Sequence, residues 1–305
     1  MRPSPRFLIL VFVVALGLLG GRAASADIAG GKEAFKLKRG SEALAQFQPL
    51  AEAGDREAVY WMGRLYDSGI GVAQDKQQAL TWFTKAAEAG HVESQRVIGI
   101  YHAEGLGGLA RDDKQAFDWY SRAAGAGNAK AMRNLAGLYV EGRGTPRDYA
   151  MAAQWYQKAA DAGHVKARRG LAYLYYFGRG VPQDRTRAAQ LFRAAADDGD
   201  EQASVNLGFV HYHGKGVPQD FGKAREAFEK AANRGNAEAQ LFMARMHLRG
   251  EGGAKDPRQA FFWALLARIQ KPDHAAWYFE RLRGQLSRAD KAALRKRVAS
   301  WIPKD

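Results

Sequence analysis

A cassette of about 36 residues returns six times along this chain, and a fixed period of that length signals stacked helix pairs, each too small to bury its own apolar face. Every copy carries, in phase, a small residue (Ala58, Ser94, Ala131, Ala167, Ala203, Ala239), then Gly or Ala (Gly63, Gly99, Ala136, Ala172, Gly208, Ala244). A Gly-x-Gly loop, an Asp, an Ala and aromatics follow. Chains of this kind work by presenting surface.

Within a cassette the spacing separates two helices. Ala167, Leu171, Ala172 and Tyr175 fall on one side of a helix, as do Ala58, Met62, Gly63 and Tyr66 and their counterparts in the other copies. That side is the expected buried face. The first helix should stop at Gly-x-Gly (Gly69 and Gly71, then 105 and 107, 142 and 144, 178 and 180, 214 and 216, 250 and 252), where glycine tolerates the positive backbone angles of a sharp reversal. An Asp before the second helix (Asp75, Asp112, Asp148, Asp184, Asp220, Asp256) can cap its free amides. Ala79, Trp82, Phe83 and their equivalents pack between repeats, and Gly90, Gly127, Gly163, Gly199 and Gly235 are placed to end the second helices.

Ala203-Ser-Val-Asn-Leu207-Gly208, Gly178-Arg-Gly180-Val-Pro-Gln-Asp184 and Ala152-Ala-Gln-Trp155-Tyr156-Gln-Lys158-Ala159-Ala160 resemble the Sel1-like repeat (SLR) family, a relative of the tetratricopeptide repeats, over about residues 31–301. The chain departs from that pattern at His102, His211 and His247, where Tyr is usual, at one extra residue near Gly108, and at a missing glycine after Ala267. The expected fold is all-α: a right-handed α-solenoid of stacked antiparallel helix pairs, a TPR-like superhelix. The expected units are a signal peptide at 1–26, a degenerate N-terminal repeat or cap at 27–55, repeats at about 56–90, 91–127, 128–163, 164–199, 200–235 and 236–271, and capping helices at 272–305 with Ser287 starting the second.

Arg2 and Arg6, the apolar stretch Phe7 to Leu19 and Ala24-Ser25-Ala26 read as a secretory signal cleaved after Ala26, which places the chain in the periplasm or outside the cell. The stretch is short for a bilayer span, which needs about 20 apolar residues, so no transmembrane span is expected after cleavage. The formal charge of +14 falls to +11 without the signal's three arginines and favours an acidic partner or anionic surface over nucleic acid, which export places out of reach. With no cysteine, thiol catalysis, thiolate metal sites and redox exchange are excluded.

No nucleophile, zinc-protease or phosphate-loop motif is present, and the Gly-x-Gly loops join helix to helix, so no catalytic residue, metal or cofactor is expected. His102, His211 and His247 take the inward Tyr slot as hydrogen-bonded core residues, His213 points away from His211, and His91 and His164 read as exposed. The face opposite the buried one holds Tyr60, Arg64 and Asp67; Arg96 and Ile100; Arg133 and Val140; Arg169, Tyr173 and Tyr176; Val205, Phe209 and Tyr212; Leu241 and Arg245. Resemblance to tetratricopeptide superhelices puts the first helices on the concave side, so Arg96, Arg133 and Arg169 should stack in register beside the aromatics. The partner-binding set is Tyr60, Arg64, Arg96, Arg133, Arg169, Tyr173, Tyr176, Phe209, Tyr212 and Arg245, of the types enriched at binding hot spots, although Tyr60 and Leu241 suit inter-helix packing equally well.

Three functions compete. The first is an exported adaptor binding an acidic or extended protein segment in the groove, since the resemblance implies scaffolding, signalling regulation or envelope assembly. The second is a binder of cell-wall glycan or anionic lipid. The third is a hydrolase acting on cell-wall peptides or β-lactams. Cysteine-rich relatives in the family have been linked to β-lactam binding, but this chain lacks both cysteine and a nucleophile–base pair.

Overall fold

The structure is a computed structural model that describes residues 26–303; the predicted signal segment lies outside the described residues up to Ser25. The described residues form sixteen helices and no strand. Two helices, α1 (Ile28–Lys36) and α2 (Gly40–Glu52), precede six pairs: α3 (Arg56–Ser68) with α4 (Lys76–Glu88), α5 (Val92–Glu104) with α6 (Asp113–Gly125), α7 (Ala129–Glu141) with α8 (Tyr149–Asp161), α9 (Val165–Phe177) with α10 (Arg185–Asp197), α11 (Glu201–His213) with α12 (Phe221–Asn233), and α13 (Ala237–Arg249) with α14 (Pro257–Ala267). The helices α15 (Pro272–Arg281) and α16 (Arg288–Ala299) close the array. Each helix packs chiefly on its neighbours in sequence, which makes the chain a solenoid of stacked helix pairs.

The predicted inward sets form the core. Ala58, Met62, Leu135, Ala136, Leu171, Ala172, Met243 and Ala244 are buried, and His211 and His247 are buried in the slot that Tyr66, Tyr139 and Tyr175 fill elsewhere. The Gly of the first helix has a steric cause: a Cβ on Gly63, Gly99 or Gly208 would sit 2.6 Å from the ring of Phe83, Tyr120 or Phe228 on the paired helix. The same relation holds between Gly31 of α1 and the Phe47 ring of α2.

The starts of the twelve repeat helices, α3 to α14, are held by side-chain caps. All six predicted Asp residues cap second helices, Asp75 accepting from the amides of Gln77 and Gln78 at 2.9 Å, for example. Ser287 caps α16, as expected. A second series of caps starts the first helices: Asp55, His91, Asn128, His164, Asp200 and Asn236 each accept from the amide of the small cassette residue three positions on. His91 and His164 are therefore not exposed side chains. The Nδ1 of each caps a helix, and the Nε2 of His91 also lies 3.0 Å from Glu57 in the preceding repeat.

The two glycines of each loop do different work. The first is the left-handed residue that ends the helix, as at Gly178 with φ +67°. The second also has positive φ, and it presses on the first residue of the previous unit's second helix: Gly71 on Gly40, Gly107 on Lys76, Gly144 on Asp113, Gly180 on Tyr149, Gly216 on Arg185 and Gly252 on Phe221. Every one of these contacts spans 31 residues and is made to main-chain atoms, so a side chain on either partner cannot yield to make room. At the C-terminal end, Leu282 and Leu294 seal the last pair and the Arg297 guanidinium lies 4.0 Å from the centre of the Phe262 ring.

Candidate functional site

The first helices carry most of the predicted binding set, and the structure divides it. Tyr60 is 5% exposed, packed 4.6 Å from the His91 ring, and its hydroxyl accepts from Arg64 at 3.0 Å. Arg64 itself lies 5.3 to 5.9 Å from the rings of Phe35, Trp61 and Tyr60. Tyr212 is 6% exposed and donates to Glu251 at 3.0 Å, while Arg245 sits over its ring at 5.0 Å. Tyr60 and Tyr212, with Val205 and Leu241, are thus packing groups: His91 from the next repeat lies against Tyr60, and Glu251 from the next repeat takes the Tyr212 hydroxyl.

The expected row of open guanidinium groups is likewise engaged. Arg96 makes a bidentate pair with Glu93 at 2.6 and 3.0 Å, Arg169 binds Asp200 at 3.0 Å, and Arg133 donates to Asn134 at 3.2 Å. Burial works against the charge of Arg96, but Glu93 outweighs it and raises the Arg96 pKa above its ordinary value. Arg96 thus ties two turns of α5 and Arg169 ties α9 to the start of α11 before either meets a ligand, whereas Arg133 bonds only its chain neighbour.

Three predicted residues do converge. Tyr173 and Tyr176 of α9 and Phe209 of α11 line a cleft of about 160 Å³, together with Phe177, Phe192, Asn206 and Val210. The Tyr173 and Phe177 rings are parallel to within 7° at 6.5 Å, the Tyr173 ring meets Phe192 edge-on at 5.3 Å, and Phe209 is stacked on exposed His213 at 6.2 Å. Tyr173 donates to Asn206 Oδ1 at 3.0 Å, which leaves the Asn206 Nδ2 donor without a partner beside the cleft. Phe177, 52% exposed, forms its lip.

The loop after α9 builds the rim. Arg179 follows the terminating Gly178, and Gly180 pressed on Tyr149 brings its guanidinium to 5.6 Å from the Tyr149 ring and 5.1 Å from Phe177. Arg147 approaches the same Tyr149 ring at 5.9 Å. Arg185, held by Gly216, lies 5.7 Å from the Tyr176 ring. Sequence reasoning missed Phe177, Arg147, Arg179, Arg185 and Tyr149; the available signal was an arginine between the two glycines of a loop that follows three aromatic residues, Tyr175, Tyr176 and Phe177.

Two buried histidines stand against arginines. His211, 4% exposed, accepts from Arg193 at 3.1 Å, and His247 stands 3.1 Å from Arg225; burial first, then the adjacent arginine, holds each below the ordinary histidine value, His247 at about 4. Among the described residues no group of three His, Asp or Glu side chains could hold a metal ion, and no helix is long and apolar enough to cross a membrane.

The Sel1 repeat matches six consecutive stretches of the chain, residues 56–91, 92–128, 129–164, 165–200, 202–236 and 237–272. The chain is similar to the solved structure of c5321, a protective antigen present in uropathogenic Escherichia coli strains that displays an SLR fold, at 31% identity and a TM-score of 0.75. That match covers 89% of this chain and 62% of the antigen, so the chain spans less than two thirds of that protein's length. It is also similar to a Sel1 repeat protein from Oxalobacter formigenes, at 31% identity and a TM-score of 0.71 over 78% of this chain and 94% of that one. The pilF protein of Pseudomonas aeruginosa, 17% identical with a TM-score of 0.52 over 76% of this chain and 97% of its own, shares the fold alone. None of the curated proteins matches the chain. With its six consecutive matches and these two relatives at 31% identity, the chain belongs to the Sel1 repeat family.

Proposed function

We propose that this protein is an exported adaptor that holds an extended segment of a partner protein on its first-helix face, with the Tyr173–Tyr176–Phe177–Phe209 cleft as the anchor, in envelope signalling or assembly. Sel1 repeat proteins are generally protein-interaction scaffolds, and the fold is typically non-catalytic. The observation that carries the reading is the cleft itself. Rigid aromatic side chains from two successive repeats meet there, and Phe177 keeps half of its surface in water although it is apolar. Wrapping an extended segment along a solenoid groove is also the use that a quasi-linear array of repeats serves best.

Photo-crosslinking groups at Tyr173 and Phe209, with exposed Gln190 on α10 as control, test this in cells. A discrete protein adduct from the cleft positions and none from Gln190 is the expected result. Equal adducts at all three, or none, would refute the anchor. Adducts to cell-wall glycan or lipid at the cleft would replace it with the second reading, which the charge of +11 after signal removal favours.

A further inference from the structure

The rim of the cleft gathers three arginines without an ion pair, where most others on this face are held by carboxylates; Arg64, against Phe35, Tyr60 and Trp61, and Arg133, bonded to Asn134, are the exceptions among the described residues. Arg143, one repeat before Arg179 at the same loop position, is held by Asp113 at 2.6 Å and Glu141 at 3.3 Å; Arg96 is held by Glu93, Arg169 by Asp200 and Arg168 by Asp198. Arg147, Arg179 and Arg185 have no ion pair among the described residues and instead lie against the rings of Tyr149, Phe177 and Tyr176. The two acids nearest in sequence are engaged elsewhere: Asp148 caps α8 through Ala150 and Met151, and Asp184 caps α10 through Arg187. A guanidinium drawn to a ring by cation–π attraction keeps its N–H groups free of any carboxylate of the described chain, and its planar fork matches an incoming carboxylate with two parallel hydrogen bonds. Gly180 and Gly216, through their main-chain contacts, hold Arg179 and Arg185 in place on the same rim.

We infer that Arg179 and Arg185, with Arg147 behind them, form a carboxylate subsite continuous with the aromatic cleft, so that the segment bound there carries an apolar or aromatic residue for the cleft with Asp or Glu a few positions away. This rests on the cleft being a peptide anchor, as proposed above. The two features divide the recognition. The cleft accepts any apolar side chain of suitable size, and the arginines select among such segments by charge, because an acidic flank gains charge-assisted hydrogen bonds and a basic flank meets like charge.

The test is selection of a displayed random dodecapeptide library on the folded chain, followed by fluorescence anisotropy of the selected peptides with the wild type, with the double variant Arg179→Gln, Arg185→Gln, and with Phe209→Ala. Both arginines are exposed, so circular dichroism should show an unchanged fold for the double variant. The expected result is selected peptides with Asp or Glu within about three residues of an aromatic or Leu, bound at least tenfold more weakly by the double variant and losing most of their salt dependence there. Peptides that require Phe209 but show neither acidic enrichment nor sensitivity to the double variant would overturn the carboxylate subsite and leave the anchor standing. Peptides indifferent to Phe209→Ala, or a library that yields no binder, would overturn the anchor as well.

Discussion

Replacing Gly180 by alanine places a methyl group where nothing can move aside. Gly180 has φ +69°, and an added Cβ would collide with the carbonyl carbon of Tyr149 and the amide nitrogen of Ala150, both main-chain atoms inside the first turn of α8. Two costs add: about 1–2 kcal/mol for holding an L-residue in the left-handed region, and about 1–3 kcal/mol for overpacking, giving roughly 2–5 kcal/mol in all. Gly163 supplies the control, since its φ is +81° and no atom lies within 4 Å of an added Cβ, so only the first cost applies. The difference between the two variants, roughly 1–3 kcal/mol, isolates the contact, and at about 2–4 °C per kcal/mol for a chain of this size it should separate their melting temperatures by roughly 2–12 °C. Thermal unfolding followed by circular dichroism gives that separation. Amide hydrogen exchange should show the extra loss in Gly180→Ala centred on α8 and α9, because repeats in such an array contact only their neighbours. Equal destabilisation by Gly180→Ala and Gly163→Ala would show that the loop glycine matters for its backbone angle alone.

Three further outcomes are expected. His247 is held at about 4, below the ordinary 6.5, by burial and then by Arg225, so the unfolded chain binds protons more readily than the folded one between those values. Stability is complete above pH 6.5 and falls as pH drops toward 4, by roughly 3 kcal/mol in total. His247→Tyr, which restores the residue found at 66, 139 and 175, should flatten the urea midpoint between pH 7.5 and 4.5, and an unchanged slope would exclude His247 as the source. His91→Ala should cost about 1 kcal/mol by losing an N-cap, whereas His91→Asn, the capping residue at 128 and 236, should stay within a few tenths in chemical denaturation. Arg96→Ala should lower stability and leave partner binding unchanged, because its guanidinium is occupied by Glu93; a tenfold loss of affinity in anisotropy would restore it to the binding set.

What the amino acids disclose in advance is whatever depends on one repeat compared with the next. The Gly and Ala of the first helix, the Asp caps and the positive-φ glycines recur in phase, and each needs only local geometry, so their places were legible before any coordinates. The binding face was legible only in part. Helical spacing selects Tyr60 and Tyr212 as readily as Tyr173, but exposure on that face is decided by the neighbouring repeat: His91 covers Tyr60, and Glu251 from the next loop takes the Tyr212 hydroxyl. Phe177 escaped although it continues the stripe four residues after Tyr173, because it is the last residue of its helix, next to the Gly-x-Gly loop, and Arg179 because its position is set by Tyr149, thirty residues earlier in the chain. The caps at His91 and His164 escaped because imidazole is an uncommon N-cap acceptor, although Asp55, Asn128, Asp200 and Asn236 mark the same slot in the other repeats.

The 31-residue contact between a loop glycine and the preceding unit gives the array a ruler made of main chain alone. Length between the two touching points is invariant from Gly40–Gly71 to Phe221–Gly252, while length outside that interval is free to change. The one extra residue of the chain, at Gly108, falls just after Gly107 has met Lys76, so it lengthens the loop without moving the joint. Variation in this protein is therefore partitioned: insertions on the far side of the ruler and substitutions on the first-helix face can reshape what is recognised, whereas a single residue added between the joined points would shift every later unit out of step with those before it.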